Sequence, residues 1–182
     1  MKLHAVTMVK DEADFIEYSI RHMLTHVDSV IVADNMSTDG TLEILARLWL
    51  EFPKRMLVEI DKEVGYYQAS KMSRLIDMAI DRGADWVIPF DADELWVAES
   101  GEFRDAFKND AEALRIPVRD HGPLPPTPSK VAVRGIEGIR VTQGNHGATL
   151  RGLPARTIES SLVIHHFPYR SQEQYERKIR NG

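Results

Sequence analysis

Asp91, Asp93 and Glu94 stand within one tetrad directly behind the apolar run 86–90. If the chain stays extended there, Asp91 and Asp93 point the same way about 6.6 Å apart, with Ala92 turned from them. Carboxylates that close repel, and one keeps a proton at neutral pH unless a positive charge sits between them. A hard divalent ion meets that need. Mg2+ or Mn2+ takes oxygen ligands, keeps several waters and joins one or two carboxylates to the phosphates of a substrate. An isolated Asp-x-Asp is ordinarily a solvated turn or helix cap. This one gains weight from Lys10-Asp11-Glu12, Asp34-Asn35 and Asp61, each of which also closes an apolar run. His165 and His166 end another run, and alternation sends them to opposite faces. His166 is expected as a further ligand, against the alternative of a histidine satisfied in the core. Lys71 and Arg74, three apart on one predicted helix, either reach a diphosphate near that helix's start or are solvated helix charges. Arg170, Arg177, Lys178 and Arg180 gather around a final helix, where they bind phosphate or keep the helix solvated.

These residues need elements to position them. The first half alternates short apolar runs with longer stretches repeating apolar residues every three or four positions. That predicts strands over 3–9, 29–33, 56–60 and 86–90, and helices over 12–26, from 41 to near Pro53, and 67–82. Ser37-Thr38-Asp39-Gly40 is expected to cap the second helix. Four strands separated by helices imply an α/β fold with a parallel, doubly wound sheet. Ligands bind beyond the carboxyl ends of strands in such sheets, and one rim here collects the acids. Past Glu94 the pattern loosens. A helix over 98–109 and strands over 113–118 and 161–165 are expected, and Ser171-Gln172-Glu173-Gln174 resembles a capping box. Residues 119–130 carry four prolines and read as a mobile surface loop.

The 182 residues fit one domain, divided into a ligand-binding half (1–94) and a second half (95–182). Lys and Arg number 23 against 28 Asp and Glu, a net charge of −5 that gives no reason to expect nucleic acid as a partner. The absence of cysteine excludes disulfides, thiol nucleophiles and cysteine-ligated zinc, and suits a reducing cytoplasm. No apolar stretch is long enough to span a membrane. Gly-x-Gly-x-x-Gly after the first strand, a phosphate-loop Gly-Lys-Ser/Thr and Gly-x-Ser-x-Gly are all missing.

Several stretches resemble the family 2 nucleotide-sugar glycosyltransferases. Val6-Thr7-Met8-Val9-Lys10-Asp11-Glu12 is similar to that family's opening strand and turn, with Asp11 in place of the usual Asn. Ile31 to Thr41 is similar to its second motif, with Met36 where Gly is usual. Residues 83–94 resemble the approach to its metal-binding Asp-x-Asp, and residues 164–175 resemble the His-aromatic and Arg-Ser-x-Glu-Gln segment of one short branch. The resemblance implies a GT-A fold and metal-dependent transfer, with inversion, of a sugar from a nucleoside diphosphate, most often UDP, to an acceptor hydroxyl on a glycan, lipid or protein. Carried over by position, Thr7, Val9, Glu12 and Asp34 hold the nucleoside, Arg74 lies near the phosphates, and Asp91 and Asp93 hold Mn2+ or Mg2+. Lys71 and Arg170 join the nucleotide-sugar contacts, and His166 the metal. Asp120 and His146 are candidates for the general base. The alternatives are a non-catalytic module that binds the donor, a fragment of a longer transferase, or a nucleotidyltransferase, whose glycine-rich first loop is absent.

Overall fold

The computed structural model describes all residues except 64–66, 124 and 182, and only the backbone over 177–181. Its first half follows the periodicity: β1 (Leu3–Val9), α1 (Ile16–His26), β2 (Ser29–Asp34), α2 (Thr41–Glu51), β3 (Met56–Ile60), α3 (Gln68–Asp81) and β4 (Trp86–Pro89). The second half runs through β5 (Glu94–Ala98), a short 3-10 turn (Phe103–Phe107), β6 (Ala113–Ile116), β7 (Val118–Asp120), β8 (Lys130–Arg134) and β9 (Ile139–Val141). It ends with β10 (Ala148–Leu150), β11 (Leu153–Pro154), β12 (Thr157–Glu159), β13 (Leu162–His166) and α4 (Gln172–Asn181).

Seven strands form the main sheet in the order β12-β6-β8-β4-β1-β2-β3. Only β8 runs against its neighbours; the other pairings are parallel. Apolar runs such as residues 30–33 are buried on both sides, as strands covered on two faces must be. On one face lie Ile16, Ile20, Met23 and Leu24 of α1 with Leu45 and Leu48 of α2. Met72, Leu75, Ile76 and Ala79 of α3 cover the other. Their spacing of three and four residues places each set on a single helical stripe.

The expected helix over 98–109 is not formed. Residues 94–98 are strand, and only the Phe103–Phe107 turn remains, with Phe103 and Phe107 packed into the core. Gly101, in the left-handed region at φ of 69°, interrupts a helical path ahead of that turn. The 119–130 stretch also differs from a plain loop, because Asp120 closes β7 and Lys130 opens β8. A second sheet, β5-β13-β7, decides where the chemistry sits. β5 begins at Glu94, so the chain leaves the main sheet through the acidic tetrad and enters the small one. There β13 sets His166 opposite Glu94 on one side and Asp120 on the other.

Candidate functional site

The carboxyl ends of β1 and β2 are stitched together by the second motif. The Asp11 amide donates to Ser37 Oγ at 2.9 Å, Glu12 to Thr41 Oγ1 at 2.9 Å, and Ala13 to Asp39 Oδ2 at 3.0 Å. In return Thr38 N donates to Asp11 Oδ1 at 2.7 Å. The capping expectation is corrected accordingly. Gly40 is the N-cap of α2 without a side-chain capping bond, and the polar side chains mainly hold the neighbouring turn, although Asp39 also accepts from Thr41 N at 3.0 Å. Met36 has φ of 57°, the left-handed region that explains the usual glycine there. Below this clasp Asp34 is wholly buried; its Oδ2 accepts from Ser37 N at 3.0 Å, while Oδ1 has no hydrogen-bond partner among the described residues. Thr7 and Val9 are buried in β1 beside it.

The tetrad is a turn and not an extended strand, with Glu94 N donating to Asp91 O at 3.2 Å. Asp91 and Asp93 therefore do not share a strand face, because Pro89 ends β4 and the backbone reverses over residues 92–93. Each carboxylate meets a different cation. Asp91 is ion-paired with Lys130, whose ammonium also grips Glu94. Glu94 is completely buried and takes two further bonds on Oε2, from Asp91 N and Trp96 Nε1, both at 3.1 Å. Burial opposes the charged form of Lys130, but Asp91 and Glu94 outweigh it and raise its pKa. Burial raises the Glu94 pKa in turn.

Asp93 faces the C-terminal segment. Its Oδ1 lies 3.5 Å from His166 Nε2 and its Oδ2 lies 3.6 Å from Arg170 Nη1. His166 Nδ1 donates to Asp120 Oδ1 at 2.6 Å, and Asp120 is held by Thr127 through N at 2.6 Å and Oγ1 at 2.7 Å. Burial works against the imidazolium, but the Asp93 and Asp120 carboxylates prevail and raise its pKa. For Asp120, burial is outweighed by the Thr127 and His166 bonds, and the carboxyl stays below its ordinary range. Arg170 is also paired with Glu12 and, at 2.7 Å, with Asp14, and its guanidinium lies 5.3 Å from the centre of the Phe15 ring. Ser171 caps the helix beyond it, accepting from Gln174 N at 3.1 Å, while Gln174 Oε1 reaches back to Arg170 N at 3.1 Å.

This donor set fits a divalent ion. With Nδ1–H committed to Asp120, a neutral His166 presents its Nε2 lone pair to a carboxylate oxygen, and only a proton or a cation between them relieves that opposition. Ligands about 2.1 Å from an octahedral ion stand roughly 3 Å apart, close to the observed gap. Among the described residues no group of three or more His, Asp or Glu side chains is gathered to hold a metal. The described residues thus bring together two donors at that spacing, Asp93 Oδ1 and His166 Nε2, and no third.

No protein-family model and no curated protein matches the sequence. Solved structures do match its shape. S. aureus TarS 1-349 in complex with UDP-GlcNAc superposes with a TM-score of 0.62 at 13% identity over 96% of this chain, and its complex with UDP with 0.61 at 14% over 100%. The mannosyltransferase PcManGT from Pyrobaculum calidifontis, in complex with GDP-Man and Mn2+, gives 0.50 at 21% over 65%. The chain has a GT-A-like fold. It covers between 36% and 64% of the length of those chains.

On this GT-A-like frame the remaining expected residues divide. Lys71 is buried and paired with Asp61 at 2.7 Å, which ties α3 to the end of β3 and leaves no solvated helix charge there. Arg74 pairs with Glu59 and lines a hollow of about 450 Å³ with Ser70, Ser73, Asp77 and Arg140, whose lining includes none of the tetrad. His146 Nδ1 donates to Ser129 O at 3.0 Å, and its Nε2 packs over Gly144, where an added Cβ would lie 2.4 Å away. His165 turns away from Asp93 to bond His121 at 2.7 Å. The side chains of Arg177, Lys178 and Arg180 lie outside the described residues. Sequence reasoning missed Lys130, Thr127 and the pairing of Arg170 with Glu12 and Asp14. The signal for Lys130 was the tetrad itself, whose three acids require more than one counter-charge.

Proposed function

We propose that the chain binds a nucleoside-diphosphate sugar and transfers the sugar to an acceptor hydroxyl. The observation that carries this reading is the Asp93–His166–Asp120 arrangement at the strand ends of a GT-A-like sheet. The ligands of the structural neighbours, UDP, UDP-GlcNAc and GDP-Man with Mn2+, support the same donor class. Asp34, with its buried unpartnered oxygen, takes the nucleoside together with the backbone around Thr7 and Val9 and the Glu12 turn. Asp93 and His166 hold Mn2+ or Mg2+, with Asp91 flanking them, and Arg170 balances the diphosphate from the other side. A divalent ion held there would neutralise the diphosphate as it leaves the anomeric carbon, while the acceptor oxygen bonds to that carbon and gives up its proton to solvent. Asp120 orients the imidazole through Nδ1 and keeps Nε2 free as a ligand. Asp120 is not the base in this reading, since its low pKa and engaged oxygens make it a poor proton acceptor. His146 is not the base in this reading either, since its Nδ1 is committed to Ser129 O.

The chain's partial coverage of its neighbours favours a second reading, in which it is the donor-binding part of a longer transferase. A thermal-shift screen of nucleotide sugars with and without Mn2+ tests the donor site. A ligand at 100 times its Kd adds about 2.7 kcal/mol. The expected result is selective, Mn2+-dependent stabilisation by one nucleoside diphosphate sugar; no stabilisation by any of them overturns the proposal. Release of the nucleoside diphosphate on incubation separates an enzyme from a binding module.

A further inference from the structure

The two edges of the main sheet are finished differently. β12, at one end, spans only Thr157–Glu159, with Arg156 before it and Glu159 closing it. Short, charged edges resist pairing with other chains. β3, at the other end, runs Met56-Leu57-Val58-Glu59-Ile60 without proline, glycine or lysine, and no described strand lies on its outer side. Val30 N donates to Arg55 O and Asp61 N donates to Asp34 O, both at 2.8 Å. In a parallel ladder that alternation turns the backbone of residues 55, 57, 59 and 61 toward β2, and that of residues 56, 58 and 60 outward. Met56 N is taken by Phe52 O at 3.0 Å. Among the described residues the C=O of Met56 and both backbone groups of Val58 and Ile60 have no hydrogen-bond partner. Helix α2 lies above this edge, with Ile44, Phe52 and Val58 packed on the same core. One of its flanks carries Arg47 and Glu51, which pair with Glu17 and Arg21 of α1. At about 100° per residue Leu42, Ala46 and Trp49 fall on the opposite flank. Since α1 joins β1 to β2 and α2 joins β2 to β3, that flank looks past the outer edge of the sheet. Trp49 is 44% exposed there, and Ile60 at the strand end is 53% exposed. We propose that a second copy of this chain covers this edge, the two β3 strands pairing antiparallel about a two-fold axis through Val58. The strand is complementary to itself in that direction, as a two-fold interface requires. The two Val58 residues exchange N–H and C=O, and each Ile60 N–H reaches the partner's Met56 O, so the open backbone groups meet one another. Arg55 then stands opposite the partner's Asp61, and Leu57 opposite the partner's Glu59. Centring the pair on Glu59 instead sets two like charges face to face, which is destabilising. The apolar flanks of the two α2 helices meet on one side of the continuous sheet.

The interface uses none of Asp34, Asp93, His166 or Arg170, so it stands or falls apart from the donor reading. Sedimentation of the full chain without ligand is expected to give twice the chain mass at about 100 μM, returning to a single mass on dilution. Ile60→Lys places a charge on the edge and is expected to weaken association by about tenfold or more, with far-UV circular dichroism unchanged. Trp49→Glu is expected to act the same way from the helix flank, and it serves where Ile60→Lys does not fold. The chain has no cysteine, so Val58→Cys reads the register directly. Mild oxidation is expected to yield a covalent dimer, because an axis through that residue brings the two Cα atoms to about 5.5 Å. A wild type that keeps a single mass at that concentration overturns the inference and leaves the edge to a different occupant. A dimer that folded Ile60→Lys and Trp49→Glu chains both retain at full strength also overturns it. A dimer weakened by those changes that Val58→Cys does not cross-link overturns the pairing about Val58.

Discussion

Asp91 and Asp93 are the same residue two positions apart, yet the fold treats them differently. Asp91 is about one-third exposed and is gripped by a lysine that rises from the interior of the main sheet. Asp93 is buried, and its partners His166 and Arg170 come from the small sheet and the segment after it. One carboxylate is neutralised by a group its own sheet supplies. The other faces Nε2 of a histidine whose Nδ1 is committed to Asp120. Motif spacing alone suggests one cation serving both acids, but the turn at residues 92–93 separates them, and the environment then sets what each can do.

The contrast can be broken from either side. Asp93→Asn removes the carboxylate facing His166 Nε2, so Mn2+ binding should vanish and turnover drop by about a thousandfold or more, read by metal titration and donor turnover. Lys130→Met should cost about 3–5 kcal/mol in denaturant unfolding by leaving Glu94 buried without its cation. Adding Glu94→Gln should restore much of that loss, whereas no recovery would mean that the lysine stem and not its charge matters. Asp120→Asn leaves Asp93 in place but loosens the imidazole, and metal affinity should fall about 10–100-fold. Acidity sharpens the comparison further. The His166 pKa is raised from 6.5, so its contribution to stability is complete below pH 6.5 and is lost as pH rises through the raised value. In chelator, Tm should decline on that alkaline side for wild type and stay flatter for His166→Gln, while metal affinity moves the opposite way. The smallest effect belongs to the motif clasp, where Ser37→Ala should cost about 1 kcal/mol without altering metal binding.

Much of this was legible in residues 3–90. Helical stripes such as Met72, Ile76 and Ala79 repeat over three turns, and strands such as Ala5 to Val9 are apolar enough to be buried on both faces. The second half was harder because its strands are short. Three residues in β7, β9 and β10 give a period-two pattern no room to declare itself. Residues 98–109 read as one helix, although only Phe103–Phe107 keeps a turn of it. Asp120 was singled out for its place beside the proline-rich stretch, but its partners Thr127 and His166 lie 7 and 46 residues away, and only pairing between β7 and β13 brings them together. Lys130 was invisible for a different reason. A lysine at the end of a run of prolines reads as solvent-exposed, and burial of an ammonium is rare enough that only an unmet demand for charge elsewhere predicts it.

The junction between the two sheets also bears on how the protein is made. A chain emerging from the ribosome can assemble β1 to β4 and place the acidic tetrad long before residues 166 and 170 exist. During that interval Asp93 has neither its imidazole nor its guanidinium, so the cluster around it stays open on one side until residues 162–170 dock. Completion of the cluster thus follows assembly of β1 to β4 and is coupled to arrival of the strand that carries His166.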